Sequence, residues 1–384
     1  MQVRYRYRAY PTRGQQEMLA RTFGCARVVY NDCIRLRDQA HQSGEDLSDT
    51  QVQARVITLA KQTPEREWLS EVTSVALVQA CQDARRAYRN WFESMSGKRK
   101  GRRVGHPRFR RKTGRQSVRL TRNGFAVRCT GRVYLAKIGE VRVRWSRELP
   151  SAASSVTVIR EPDGRYYLSF VVERNAQPLP AADAEVGIDL GLDRLVVTSE
   201  GQITGNPRFL RKRHRKLAHL QRAASRKQMG SANRRKANRR VAVQHRKVRD
   251  ARLDHAHKIA LRLIRDNQAV YAEDLAVSGL ARTRLAKSVY DAGWSQLLRL
   301  LAEKADQHGR TFYQIGRFVP SSQRCSACGR VDGPKPLSIR TWECLCGARH
   351  DRDVNAARNI LAVGQTERLN ASGALVRPPK EAAA

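Results

Sequence analysis

The stretch CLCGARHDRDVNAARNI, residues 344–360, places two cysteines, a histidine and two aspartates just before a helical pattern. Cys344 and Cys346 follow an earlier pair, Cys325 and Cys328, from which fifteen residues separate them. Two thiolate pairs at this distance are typical of a four-cysteine zinc ribbon, in which each pair lies on a turn. The sequence therefore predicts a structural zinc ion bound by Cys325, Cys328, Cys344 and Cys346.

The second thiol pair is unusually tight, because one residue rather than two separates its cysteines. His350 is therefore an alternative zinc ligand, and otherwise a histidine at a helix end or facing phosphate. Four protein thiolates leave no open position for water, so the cluster indicates structure rather than catalysis. The scattered cysteines argue against a disulfide framework and are predicted to fill the core; they are Cys25, Cys33, Cys81 and Cys129.

Three acidic residues lie at the ends of predicted buried elements. Asp189 follows an apolar strand in GIDLG, Glu273 ends a second strand in VYAEDL, and Asp353 precedes the helical VNAARNIL. Each has an ordinary explanation, as a turn residue, an acid at a helix start or an N-cap. Together, in a cationic chain, they predict a divalent cation site, because carboxylates suit Mg²⁺ and repel one another without it. Asp274 follows Glu273 directly, so on an extended strand its side chain is expected to point to the opposite face.

The charge of the chain indicates a polyanionic partner. Lys and Arg number 74 against 35 Asp and Glu, a formal net charge of +39, which favours nucleic acid. Residues 97–122 are basic without one acidic residue, and residues 208–252 are rich in arginine. With no apolar run near 18 residues and no signal-peptide pattern, we expect a soluble intracellular protein and no membrane partner.

The order of patterns predicts several domains. QVRYRYRAYP at the start alternates as a strand does, residues 12–95 are helical, and short strands with NG, TG and DG turns follow up to residue 173, as in a small barrel. The Pro- and Ala-rich segment 175–184 predicts a boundary. After it we expect a strand, a turn and a strand, then a basic helical region, a buried strand, a helix and a last strand.

The ordered motifs GIDLGL, VYAEDL, SSQRCSACG, RTWECLCG and HDRDVNAARNI resemble the TnpB (OrfB) proteins of bacterial insertion sequences, compact relatives of type V CRISPR nucleases. RAYPT, YNDC, WLSEV, HPRFRRK and VYDAGW extend the likeness over nearly the whole chain. The resemblance implies a multidomain α+β protein with a wedge β-barrel, a helical recognition insertion and an RNase H-like (RuvC) α/β domain interrupted by a zinc ribbon. The implied bounds are 1–11 and 97–180 for the barrel, 12–96 for the recognition lobe, 185–320 and 351–364 for the nuclease domain, 321–350 for the ribbon and 365–384 for a flexible tail.

By the same resemblance the catalytic triad is Asp189, Glu273 and Asp353, holding Mg²⁺ or Mn²⁺. The implied reaction is cleavage of double-stranded DNA that matches a guide RNA from the transposon end and lies next to a short target-adjacent motif. Two ions about 4 Å apart would activate water and stabilise the leaving 3′ oxygen, leaving 5′-phosphate and 3′-hydroxyl ends. We expect one protein chain with one RNA, in the bacterial cytoplasm at the nucleoid.

Contacts to nucleic acid are expected from three regions. The resemblance implies that the target-adjacent motif is read from the helix near Ser74, Val75 and Val78 and from the basic wedge. The basic tracts would line a channel for the heteroduplex, with candidate contacts at Arg102, Arg103, Arg108, Arg110, Arg111, Lys112, Arg211, Arg213, Arg235 and Arg239.

Three other functions are compatible with parts of the sequence. A nuclease-inactive RNA-guided DNA-binding protein is disfavoured by the intact acids. An accessory transposase acting on transposon ends remains open, although the tyrosine type would need a nucleophilic tyrosine near metal-binding histidines, a setting that none of the tyrosines has. A zinc-ribbon RNA-binding protein would leave the three acids unexplained.

Overall fold

The alternating segment at the start of the chain forms a strand, β1 (Gln2–Tyr10), in the computed structural model, which describes residues 1–336 and 338–371. The chain divides into two structural units, Met1–Arg174 and Asn175–Ala384. Within the described residues, no helix has both the length and the apolar character needed to cross a membrane.

The first unit is built on a seven-stranded antiparallel sheet with β1 in its middle, ordered β2-β6-β7-β1-β5-β4-β3. Each predicted short strand is present: β2 (Gln116–Thr121), β3 (Phe125–Val127), β4 (Arg132–Leu135), β5 (Gly139–Arg144), β6 (Ser155–Arg160) and β7 (Tyr166–Glu173). The hydrogen-bonded order has two ends, β2 and β3, so the closed barrel stays a prediction.

Helices fill the segment between β1 and β2: α1 (Arg13–Ser43), α2 (Asp49–Gln53) and α3 (Ser74–Met95), with a π-helical stretch at Ala54–Leu59. The Thr12 hydroxyl and the Gln15 side chain form a reciprocal capping box at the start of α1. The apolar faces of α1 and α3 share one core with the sheet, in which Leu77 and Leu168 are fully buried.

Three of the four scattered cysteines lie in this core, as predicted, but Cys129 is exposed. That prediction was wrong because Cys129 lies in the turn between β3 and β4 rather than on a strand.

The second unit contains a five-stranded sheet ordered β10-β9-β8-β11-β12. Its strands are β8 (Glu185–Asp189), β9 (Arg194–Thr198), β10 (Ile203–Gly205), β11 (Ala269–Glu273) and β12 (Thr311–Ile315). Strand β9 is antiparallel to both of its neighbours, β8 and β10, whereas β8, β11 and β12 are parallel. A separate hairpin joins β13 (Thr341–Glu343) to β14 (Arg349–Asp351).

The helices described in this unit are α4 (Phe209–Ser225), α5 (Ala232–Asp266), α6 (Val277–Leu280), α7 (Ala286–Ala292), α8 (Trp294–His308) and α9 (Arg352–Ala371). Of these, α5 and α8 pack on one face of the sheet and α9 on the other. Alternate strand residues point to opposite faces. Val186 and Ile188 accordingly share a core with α5 and α8, while Tyr271 packs with Ile360 of α9 on the other face.

Two glycines allow the backbone of α9 to lie directly on the sheet. A Cβ atom at Gly187 of β8 would stand 2.1 Å from the carbonyl oxygen of Ala357, and one at Gly364 of α9 would stand 2.3 Å from the ring of Tyr271. Neither distance is possible for a side chain, so a residue without Cβ is needed at both points.

The predicted tail from residue 365 was wrong for its first seven residues, because α9 continues to Ala371. Gln365 and Arg368 hydrogen-bond to the carboxylate of Glu185 at 2.8 and 2.7 Å, which fixes the end of the helix to β8. The rest of the predicted tail, 372–384, lies outside the described residues, as does Leu337 of the predicted ribbon.

Replacing Gly187 by alanine should move α9 off the sheet, because the new methyl group overlaps backbone atoms that cannot rotate away. We expect a loss of about 1–3 kcal/mol in the free energy of unfolding, measured by denaturant titration. Gly205→Ala is the control, since a Cβ atom there meets nothing within 4 Å. Equal stabilities of the two variants would contradict the close-approach argument.

Candidate active site and cysteine cluster

Two of the predicted acids end neighbouring parallel strands. Ile188 of β8 pairs with Ala272 of β11, so the next residues, Asp189 and Glu273, come at the same level at the carboxyl ends of the two strands. Both continue the alternation that turns Gly187 toward α9, so both acids belong to the face that α9 covers. Carboxyl ends of parallel strands are a common place for ligand sites in α/β sheets.

The third acid reaches the same place through the direction of α9. Gly187 of β8 approaches Ala357, whereas the earlier Glu185 bonds to the later Arg368, so the helix runs opposite to the strand. The first turn of α9, with Asp353, therefore lies at the carboxyl end of β8. Asp189, Glu273 and Asp353 all line one cavity of about 500 Å³.

The electrostatics of this cavity disfavour the ionised form of two of its acids, Asp189 and Glu273. Burial, together with the nearby charges of Asp353 and Glu273, raises the pKa of Asp189 to about 7. Burial, with a contribution from the charge of Asp274, also raises the pKa of Glu273. Asp274 itself lies outside the cavity lining and pairs with Arg317, as expected of a residue on the opposite face.

Cationic side chains approach Asp353, whose side chain is only 13% exposed. Arg194 at the start of β9 places Nη1 3.4 Å from Asp353 Oδ2. Arg340, from the segment between the cysteine pairs, places Nη1 3.4 Å from Asp353 Oδ1. These arginines line the cavity with Arg352, and the prediction from sequence missed all three. In the sequence, only their positions could have indicated a role: Arg194 comes shortly after Asp189, and Arg352 lies between two aspartates.

Asp351, rather than Asp353, caps α9, so the N-cap explanation of Asp353 was wrong. The Oδ1 atom of Asp351 accepts hydrogen bonds from the backbone amides of Asp353 at 3.0 Å and Val354 at 3.1 Å. Asp353 is the second residue of the helix. Its carboxylate is therefore not used for capping and faces the cavity.

The donor set of the cavity fits a hard divalent cation such as Mg²⁺ or Mn²⁺, since it consists of carboxylate oxygens whose mutual repulsion a cation relieves. The oxygens of the three carboxylates do not all lie within 4.8 Å of one another. Among the described residues, only the four cysteine sulfurs form a set of three or more candidate ligand atoms that are this close together. The triad stays a prediction, which this placement supports.

The cysteine sulfurs, by contrast, already have the dimensions of a metal site. Cys325 and Cys346 are 3.8 Å apart, and Cys328 and Cys344 are 3.7 Å apart. Four sulfurs at about 2.3 Å from a central zinc ion have edges of about 3.8 Å in a tetrahedron. The chain therefore presents a four-thiolate site that fits one zinc ion.

His350 lies beside this cluster. Its Nε2 atom is 3.0 Å from Cys325 Sγ, within hydrogen-bonding distance, and its ring packs on Trp342 with centroids 4.8 Å apart. Burial lowers the pKa of His350, and the charges of Arg358 and Lys335 act in the same direction. His350 is neutral and contacts one sulfur, so it is better explained as a hydrogen-bond partner of the Cys325 thiolate than as a zinc ligand in place of one of the four cysteines.

Two buried asparagines of α9 attach the first cysteine turn to the helix. Asn355 accepts a hydrogen bond from the Ser326 amide at 2.9 Å and donates to the Arg324 carbonyl at 2.8 Å. Asn359 donates to the same carbonyl at 2.6 Å and to that of Ser321 at 2.8 Å. The cysteine cluster and the helix that carries Asp353 thus form one connected piece.

The predicted nucleic-acid contacts are mostly at the surface, and they stay predictions. Ser74 is exposed, whereas Val75 and Val78 are partly buried against the core of the first unit. Arg110 already pairs with Asp83. The exposed positions are Arg102, Arg103, Arg108, Arg110, Arg111, Lys112, Arg211, Arg235 and Arg239, while Arg213 is partly buried.

Metal analysis of the purified chain should give about one equivalent of zinc, because the four sulfurs already form a tetrahedral site. The double variant Cys325→Ser, Cys328→Ser should lose that zinc, since two thiolates cannot hold it alone. Cys129→Ser, which removes an exposed cysteine of the first unit, is the control and should keep it. Zinc retained by the double variant would refute the ribbon assignment.

The metal-free protein should lose stability as the pH rises from about 4 to about 7. Asp189 has an ordinary pKa of 3.8 and a folded-state pKa of about 7, so within this interval only the folded state holds the proton. Calorimetry in magnesium-free buffer should show Asp189→Asn gaining stability over the parent across this interval and keeping a constant advantage above it. Parallel curves for the two proteins would contradict the raised pKa.

Comparisons with known proteins agree with this architecture. A family model described as "Probable transposase" matches residues 169–284, one described as "Cas12f1-like, TNB domain" matches residues 294–360, and a "Helix-turn-helix domain" model matches residues 1–46. The solved structure of a Cas12f1-sgRNA-target DNA complex superimposes with a TM-score of 0.55 over 90% of this chain and 82% of that one. At 12% sequence identity this likeness concerns the fold.

Full-length relatives are closer in sequence. A Streptomyces pristinaespiralis protein named "Putative RNA-guided DNA endonuclease" is 43% identical over 98% of this chain and 92% of its own length. A protein of Escherichia coli K12 with the same designation, InsQ, is 30% identical over 91% of this chain and 90% of its own. Similarity at this level and over this length confirms the resemblance expected from the motifs, and the chain belongs to the TnpB (OrfB) family.

Proposed function

We propose that this protein is an RNA-guided, Mg²⁺-dependent DNA endonuclease that cleaves guide-matched double-stranded DNA next to a short target-adjacent motif. The observation that carries the proposal is the convergence of Asp189, Glu273 and Asp353 on one cavity at the carboxyl ends of two parallel strands. The names of the full-length relatives support the same activity.

An RNase H-like, RuvC-type assignment of the second unit rests on its sheet. Three antiparallel strands, β10, β9 and β8, continue into parallel β11 and β12, with α9 on one face and α5 and α8 on the other. In such an arrangement the acids come from β8, β11 and the start of the last helix. The sheet of the first unit would correspond to the wedge barrel, and α1 to α3 to the recognition lobe.

The three carboxylates would hold two Mg²⁺ ions, which supply an activated water and stabilise the leaving 3′ oxygen. Asp189 must be ionised to act, whereas burial and the charges of Asp353 and Glu273 favour its protonated form by raising its pKa to about 7. Arg194, Arg340 and Arg352 line the same cavity and supply positive charge to attract a phosphodiester. Trp294 and Leu190, also in the lining, restrict water around the reacting groups.

The basic tracts would bind the guide RNA and the target through phosphates. Between residues 201 and 249, a segment that includes α4 and the first half of α5, the chain has no acidic residue, and residues 97–122 have none either. One chain with one guide RNA is the expected assembly. The zinc ribbon would have a structural role, holding the cysteine turn against α9.

The test is cleavage of a plasmid library that carries a guide-matched target beside randomised flanks. The protein is co-purified with RNA expressed from its own locus and supplied with Mg²⁺. We expect cleavage that depends on both guide and flank, and a loss of at least about 100-fold in rate for Asp189→Ala, Glu273→Ala and Asp353→Ala, because each removes a metal ligand.

Asp274→Ala is the matched control, since it removes the neighbouring acid that faces away from the cavity and pairs with Arg317. It should cleave at the parental rate. The inactive variants should still co-purify with RNA, which separates loss of chemistry from loss of binding. Cleavage by Asp189→Ala at the parental rate would show the triad assignment to be wrong.

A further inference from the structure

We propose that Arg194 and Asp351 form a brace that positions Asp353 for metal binding, with Arg194 acting as a positioning residue through Asp351. The proposal rests on the proposed function in one respect, the use of Asp353 as a metal ligand.

The brace joins the start of α9 to the sheet through a single carboxylate. Asp351 Oδ2 accepts from Arg194 Nη1 at 2.8 Å, and Asp351 Oδ1 accepts from the backbone amides of Asp353 and Val354. One oxygen of Asp351 is thus bound to the sheet and the other to the first turn of the helix. The orientation of that turn fixes the direction in which Asp353 leaves it.

The two contacts of Arg194 differ in strength. Its 2.8 Å bond to Asp351 has the length of a charge-assisted hydrogen bond, whereas its 3.4 Å contact with Asp353 is longer than such bonds. Arg194 therefore holds Asp351 firmly and leaves the oxygens of Asp353 available to a cation.

The sheet side of the brace is itself tied to the first acid. Arg194 follows Asp189 by a short turn in which a Cβ atom at Gly191 would stand 2.6 Å from the Arg194 carbonyl oxygen. This turn has no room for a side chain at Gly191, so its path is narrowly defined. Arg194 and Asp351 therefore fix the position of Asp353 relative to that of Asp189, the residue with which it would share metal ions.

Other contacts to Asp353 do not supply this restraint. Arg340 reaches its two oxygens only at 3.4 and 3.5 Å, and the carboxylate of Asp353 is not the helix cap. The far end of α9 has its own pair, Arg368 with Glu185 at 2.7 Å, about 22 Å along the helix from Asp353. That pair fixes the helix to the same sheet and cannot orient its first turn.

The test measures binding of Mn²⁺ alone to the full-length chain, by titration with electron paramagnetic resonance detection. Removing the Arg194 cation beside a metal site would by itself strengthen metal binding, whereas losing the brace weakens it, so the sign of the change in Arg194→Ala decides. Arg194→Ala and Asp351→Ala should each raise the Mn²⁺ dissociation constant about 10- to 100-fold. Their double variant should be no worse than either single variant, because both remove the same brace.

Conservative variants guard against misfolding. Asp351→Asn keeps a helix-capping oxygen and Arg194→Lys keeps the charge, so both should bind Mn²⁺ with affinity between the parent and the alanine variants. Arg368→Ala is the matched control: it should lower the unfolding temperature by an amount similar to Arg194→Ala while leaving Mn²⁺ affinity at the parental value.

Tighter or unchanged Mn²⁺ binding by Arg194→Ala would overturn the brace, as would additive losses in the double variant. These outcomes are separable from failure of the proposed function. If the parent shows no guided cleavage but Mn²⁺ binding weakens as described, the brace stands and the endonuclease proposal fails. If the parent cleaves guided targets and Arg194→Ala binds Mn²⁺ normally, only the brace fails.

Discussion

Direct contact between the backbone of α9 and the central strands is the constraint on which the second unit depends. Gly187 and Gly364 remove the side chains that would separate helix and sheet. Because the helix cannot slide or tilt freely at such short distances, its first residues come to a defined level above the ends of β8 and β11. The candidate site is therefore a product of packing between elements distant in sequence, and only one of its three acids lies on the helix itself.

The chain has a strongly positive net charge, whereas the candidate site contains a cluster of carboxylates. The chain as a whole carries +39, but the cavity gathers three carboxylates, and burial together with their mutual repulsion raises the pKa of Asp189 to about 7. Inside the cavity, a polyanion attracted by the surface would meet carboxylates, whose repulsion a divalent cation relieves, beside Arg194, Arg340 and Arg352. This contrast favours nucleic acid and divalent metal as joint ligands, since neither alone balances both regions.

The sequence predicted those features that depend on residues close together in the chain. Paired thiols predict a thiolate cluster, and alternating or helical apolar periods located the strands around Asp189 and Glu273, because these patterns are local. It failed where the deciding partner is far along the chain. Asp351 and Asp353 are equally good caps by sequence, and Arg194, which binds the first of them, is more than 150 residues away. The length of α9 was likewise underestimated, since its last residues are held by Glu185.

The position of Asp353 after Asp189 and Glu273 in the sequence has a consequence for biosynthesis. A ribosome releases Asp189 and Glu273 well before the cysteine turns and α9, so a nascent chain carries two acids without the helix that completes the cavity. Since domains tend to form in the order of synthesis, the first unit, with its basic residues 97–122, can fold while the cavity is still unfinished. The cavity is thus completed only after α9 has left the ribosome, so the three acids come together after the first unit has been synthesised.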